Sequence, residues 1–132
     1  MMGNGARYVL IVDDSENAAS TLEIALLGIP GLSVTLASSG FEALNILERP
    51  GPEIQAIVTD LNMPRMDGYE LIRRLRDDGR YSATPIVVVS ADTDPATPQR
   101  VEQMGVSAFF AKPFSPGEVR RKLEQILDGK TQ

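Results

Sequence analysis

Five short apolar runs, each followed by a stretch of helical periodicity, limit what this 132-residue chain can fold into more than any other feature. The runs lie at 8–12, 34–37, 54–58, 86–89 and 108–111. Most of their residues are β-branched or aromatic, and turn residues bound them, so each reads as a strand. Between them the apolar positions change period. Ala19, Leu22, Ile24, Ala25 and Leu26 predict a first helix. Phe41, Leu44 and Leu47, with Ala43 and Ile46, predict a second. Tyr69, Ile72 and Leu75, with Leu71, predict a third, and Val119, Leu123, Ile126 and Leu127 form the stripe of the last. Ser39-x-x-Glu42 and Ser115-x-x-Glu118 fit capping boxes, with Pro116 at the tolerated first helical position. The fourth helix is expected to be short and to begin near Thr97, because Pro98 has no N–H to donate. Residues 1–7 and 129–132 read as loose ends.

Strand–helix alternation with continuously apolar strands implies a parallel sheet covered on both faces. Short, right-handed crossovers favour a doubly wound α/β fold, and the order 2-1-3-4-5 is the common solution for five such units. The length suits one domain with a real core, taken as 1–132 with its body at about 7–127.

Composition removes several kinds of chemistry. There is no cysteine, so no disulfide and no thiolate metal site, which suits a reducing compartment. There is no histidine, which removes the usual zinc ligand and general base. The net charge is −5 with no Lys/Arg-rich block, which argues against nucleic acid or an anionic membrane as direct partner. Runs such as Val9-Leu10-Ile11-Val12 fall far short of the ~18 residues of a membrane span. The first run meets Asp13-Asp14 rather than a small-residue cleavage site.

In a doubly wound sheet, ligands sit beyond the carboxyl ends of the strands. Here the strands end in Asp13-Asp14, Asp60, Ser90 and Lys112-Pro113. Singly, each has a plainer reading. The first pair could cap a helix, Asp60 could start a turn, Ser90 could be a local cap and Lys112 a surface charge. Together they place three acids, a hydroxyl and an amine on one rim. Clustered carboxylates repel one another, and a hard divalent cation relieves that strain. Oxygen ligands with room for water suit Mg²⁺ at ~2.0–2.1 Å. A carboxylate beside it can attack phosphorus and form an acyl phosphate, with an ammonium and a hydroxyl on the phosphoryl oxygens.

These residues resemble the receiver domain of two-component response regulators. The motifs are Asp13-Asp14-Ser15, then Asp60-Leu61-Asn62-Met63-Pro64-Arg65-Met66-Asp67-Gly68, then Ser90-Ala91, and Gly105 followed by Phe109-Phe110-Ala111-Lys112-Pro113-Phe114. The resemblance covers about 7–127 and implies a flavodoxin-like sheet. It implies that Asp60 accepts a phosphoryl group from a histidine kinase or a histidine phosphotransfer protein. Asp14 would bind Mg²⁺ directly, Asp13 would help through water, and the Asn62 carbonyl would complete the protein's share. Ser90 would move to the phosphate and Lys112 would pair with it. Phe109 matches the switch aromatic, and Lys112-Pro113 would be cis. Asn62 and Asp92 stand where the family tunes phosphoaspartate lifetime. The expected output is a downstream protein on the face built from the fourth helix, fifth strand and fifth helix. The expected setting is cytoplasmic, as a monomer or a dimer formed on activation.

Three departures from the family pattern stand out. Ser90 replaces the commoner threonine, Phe109 lacks a phenol, and Pro95 and Pro98 sit where the signalling helix starts. Strand alternation requires at least one of Phe109 and Phe110 in the core. Two chain contexts fit, a stand-alone regulator and a receiver within a hybrid kinase or larger regulator. A Mg²⁺-dependent phosphatase with an aspartate nucleophile is a rival from another class. It needs an acid two residues after the nucleophile, where this chain has Asn62. A flavin module on the same fold would have its phosphate repelled by Asp13-Asp14.

Overall fold

The structure is a computed structural model that describes residues 6–129. Its elements run β1 (Arg7–Val12), α1 (Glu16–Ala25), β2 (Leu32–Ala37), α2 (Gly40–Glu48), β3 (Ala56–Thr59), α3 (Gly68–Asp77), β4 (Ile86–Ser90), α4 (Thr97–Gln103), β5 (Ala108–Ala111) and α5 (Pro116–Leu127). All strand pairs are parallel and the order is β2-β1-β3-β4-β5, as the alternation predicts.

Side-chain alternation splits the core into two layers. Leu10, Val12, Ile57, Ile86 and Val88 point to one face, where Ala43, Leu47, Leu71, Ile72, Leu75 and Val101 of α2, α3 and α4 cover them. Val9, Ile11, Ala56, Val58, Val87 and Val89 point to the other, against Ala19 and Leu22 of α1 and Val119 and Leu123 of α5. Phe109 packs into the first layer and its neighbour Phe110 into the second.

The third strand differs from the expected 54–58. Ile54 is buried, but the ladder with β1 begins at Val9 opposite Ala56 and reaches Thr59. Apolarity marked burial there, while hydrogen bonding set the strand. On α1, Ile24 is 67% exposed, because it lies two residues from Leu22 and so faces the opposite side of the helix. On α2, Phe41 is 46% exposed for the same reason relative to Ala43. The expected loose ends fall largely outside the described residues, at 1–5 and 130–132. Arg7 itself is fixed. Its N–H donates to the Gly31 carbonyl at 2.8 Å, and its guanidinium pairs with Asp128 at 2.6 Å.

The helix starts are mostly as expected. Ser39 Oγ accepts from the Glu42 N–H at 3.0 Å. The Glu42 carboxylate reaches one residue further back than a capping box requires, accepting from the Ser38 N–H at 2.6 Å and the Ser38 hydroxyl at 2.9 Å. The Ser38 N–H, then its hydroxyl, hold the Glu42 carboxyl below the usual carboxylate value. At α5, Ser115 Oγ accepts from the Glu118 N–H at 3.4 Å. α4 begins at Thr97 but has no side-chain cap.

Candidate functional site

The rim residues are held because each hydrogen-bonds one step beyond its strand. The Asp13 N–H donates to Ala37 O at 3.0 Å, Asp60 N–H to Val12 O at 3.0 Å, and Lys112 N–H to Ser90 O at 2.8 Å. The backbone at the site is therefore an extension of the ladder. Lys112-Pro113 is cis.

Carboxylate oxygens of Asp13, Asp14 and Asp60 lie within 4.8 Å of one another. Asp13 is 3% exposed and Asp60 8%, while Asp14 faces solvent. Lys112 Nζ donates to Asp13 Oδ2 at 2.9 Å and to Asp60 Oδ2 at 3.2 Å. Burial works against the ammonium, but the hydrogen bond to Asp13 and the charges of Asp13 and Asp60 outweigh it. The Lys112 pKa is raised above the ordinary lysine value. Three carboxylates share one ammonium, which leaves an excess of negative charge among hard oxygen donors. That donor set fits Mg²⁺, which takes carboxylates and water. Asp13, Asp14 and Asp60 would hold it.

Asp60 Oδ1 accepts from the Leu61 N–H at 2.6 Å and from the Asn62 N–H at 3.4 Å. The carboxylate is thus gripped by backbone on one oxygen and by Lys112 on the other. Asn62 meets Asp60 through its N–H, and its side chain is exposed. Ser90 is fully buried at the end of β4, and its Oγ accepts from the Asp92 N–H at 3.1 Å. Phe109 is half-buried opposite Val88 and lines a cleft of about 230 Å³ with Val101 and Val106.

The plain reading of Asp13-Asp14 as a helix cap does not hold. Ser15 caps α1, its Oγ accepting from the Ala18 N–H at 3.2 Å, while Asp13 Oδ1 accepts from the Ser15 N–H at 2.9 Å. Two supports of the Asp60 loop went unread in the sequence. Thr59 Oγ1 donates to the Asp60 carbonyl at 2.9 Å. Gly68 lies so close that a Cβ would collide with the same carbonyl oxygen and meet Leu61 Cα at 2.7 Å. The glycine of Met66-Asp67-Gly68 was the available signal, since a side-chain-free residue marks close backbone approach.

A five-stranded doubly wound sheet with this acidic rim defines a receiver module, and the family model for the response regulator receiver domain matches residues 9–124. The chain belongs to that family and is a module of two-component signalling. It is 31% identical over 119 residues to a chemotaxis protein CheY homolog of Campylobacter jejuni, covering 90% of this chain and 91% of that one. It is 32% identical over 123 residues to the two-component response regulator ORR5 of Oryza sativa, covering 93% and 90%. Among solved structures it resembles the chemotaxis response regulator CheY4 of Vibrio cholerae, with TM-score 0.79, 30% identity and coverage of 92% and 99%. No helix among the described residues is long and apolar enough to cross a membrane.

Proposed function

We propose that Asp60 is the phosphoacceptor of a two-component or phosphorelay system, supplied by a phosphohistidine on a kinase or phosphotransfer protein in the cytoplasm. The observation that carries this reading is the Lys112 ammonium bridging Asp13 and Asp60 beside a third carboxylate. A carboxylate oxygen of Asp60 attacks phosphorus, and the donor's P–N bond breaks with its electron pair returning to the imidazole. Lys112 exchanges a carboxylate partner for a phosphoryl oxygen, and the Ser90 hydroxyl donates to another. Asp13, Asp14 and Asp60, with the Asn62 carbonyl, would hold Mg²⁺, which would supply positive charge to offset that of the phosphoryl oxygens. Most of the catalysis is positioning, which the ladder-anchored rim supplies.

The Ser90 movement opens space behind β4, and Phe109 fills it. The face of α4, β5 and α5 then changes shape for a protein partner. Moving such an equilibrium from 1:99 to 99:1 needs ~5.5 kcal/mol, which several charge-assisted contacts formed together can provide. The whole 132-residue chain acts as one receiver unit, either alone or within a larger regulator. Asn62 and Asp92 flank the acyl phosphate and orient water for its hydrolysis. Beryllofluoride with Mg²⁺ tests the acceptor. Wild-type protein is expected to take it up and shift resonances across α4 and β5, and Asp60→Asn to show neither. An equal response from Asp60→Asn would remove Asp60 from the role.

A further inference from the structure

α4 is the least self-sufficient helix of the fold. It spans only Thr97–Gln103, has no side-chain cap, carries Pro98 in its first turn and buries only Thr97 and Val101. Two arginines fasten it to α3 instead. Arg76 of α3 reaches the far end of α4, donating from Nη2 to Gly105 O at 2.8 Å and from Nε to Met104 O at 3.4 Å. Arg100 of α4 returns the contact at mid-helix, its guanidinium carbon 3.8 Å from the centre of the Tyr69 ring. Tyr69 belongs to the core layer and is 8% exposed, whereas Arg100 is on the surface. Among the described residues no carboxylate lies within salt-bridge distance of Arg100, so the ring is its partner.

Tyr69 directly follows Gly68, whose N–H donates to the Leu61 carbonyl at 2.8 Å and whose backbone lies against the Asp60 carbonyl. The start of α3 is therefore tied to the Asp60 loop. The far end of α4 is held by Arg76, and its uncapped end is held by buried Thr97 and, one turn on, by the Arg100–Tyr69 contact. We infer that the Arg100–Tyr69 contact is a latch. It holds α4 on α3 while Asp60 pairs with Lys112, and it opposes reshaping of the α4–β5–α5 face. This is a second connection from the acceptor loop to α4, separate from Ser90 and Phe109. It rests on the acceptor reading for its regulatory meaning, though not for its mechanical one.

The test uses the full chain and two readouts: amide exchange of α4, and beryllofluoride affinity with Mg²⁺. Arg100→Ala is expected to speed α4 exchange and to tighten beryllofluoride binding, each about two- to fivefold, the range of a surface cation–π contact. Arg100→Gln, which keeps length but not charge, should match it. Tyr69→Phe, which keeps the ring, should resemble wild type. In a Tyr69→Leu background, Arg100→Ala should add nothing further. If Tyr69→Leu fails to fold, the Ala, Gln and Phe variants decide alone. Unchanged α4 exchange in Arg100→Ala, or a wild-type response from Arg100→Gln, overturns the latch. Faster exchange with unchanged beryllofluoride affinity overturns its regulatory part. Wild-type protein that takes up no beryllofluoride sinks the acceptor reading and the regulatory claim with it, while the exchange arm still reports the contact.

Discussion

Lys112 and Asp60 touch each other, yet their removal is expected to act in opposite directions. Lys112→Met leaves the buried Asp13 carboxylate, 1% exposed at its side chain, without its ammonium. That should destabilise the metal-free protein by about 3 kcal/mol, the scale for stripping one partner from a buried pair. Asp60→Asn instead relieves repulsion within the acidic trio and should stabilise by about 1 kcal/mol, as removal of functional-site strain commonly does. Urea denaturation in chelator reads both. The same lysine sets a pH dependence. Its folded pKa is raised, so its contribution is complete below the unfolded value near 10.5 and fades as pH rises through the folded value. The alkaline loss of stability should therefore be shallower in Lys112→Met than in wild type.

Arg76 shows what an element owes to one side chain. Besides its two contacts with the end of α4, its Nη1 donates to Thr84 O at 2.9 Å, Ser82 O at 3.1 Å and Tyr81 O at 3.4 Å. It joins the end of α3 to the entry of β4 and the exit of α4. Arg76→Leu should destabilise by about 2 kcal/mol, and Arg76→Lys should recover little, because one ammonium cannot span those carbonyls. Thermal unfolding of the three proteins checks it. Nothing in the sequence announces this role, since an arginine late in a polar helix face carries no period. The rim acids were legible for the opposite reason. Each follows a continuous apolar strand, so its position is tied to the strongest local signal in the chain. Ile24 and Phe41 lie on the helices they predict but face solvent, because counting apolar residues in a window does not tell which side of the helix each one faces. The Ser38–Glu42 contact escaped because side-chain reach, rather than spacing, chose the serine.

At the scale of the molecule, the acidic trio and its lysine lie at one end of the sheet, where β1, β3 and β5 deliver them from separate stretches of chain. A cation held by Asp13, Asp14 and Asp60 would tie the end of β1 to the end of β3. Mg²⁺ at a hundred times its dissociation constant should stabilise by about 2.7 kcal/mol, read as a rise in the urea midpoint. Asp13→Asn with Asp14→Asn should abolish that rise, and an equal rise from potassium at matched ionic strength would mean simple screening. β5 also touches both layers. Phe109 and Phe110 are adjacent on β5 but lodge on opposite sides of the sheet, and Lys112 follows the strand by one residue. Traction on that amine works a short lever with one phenyl ring in each half of the interior. A shift of β5 is therefore expected to reach the side of the protein bearing α1 and α5 through Phe110, as well as the side bearing α4 through Phe109.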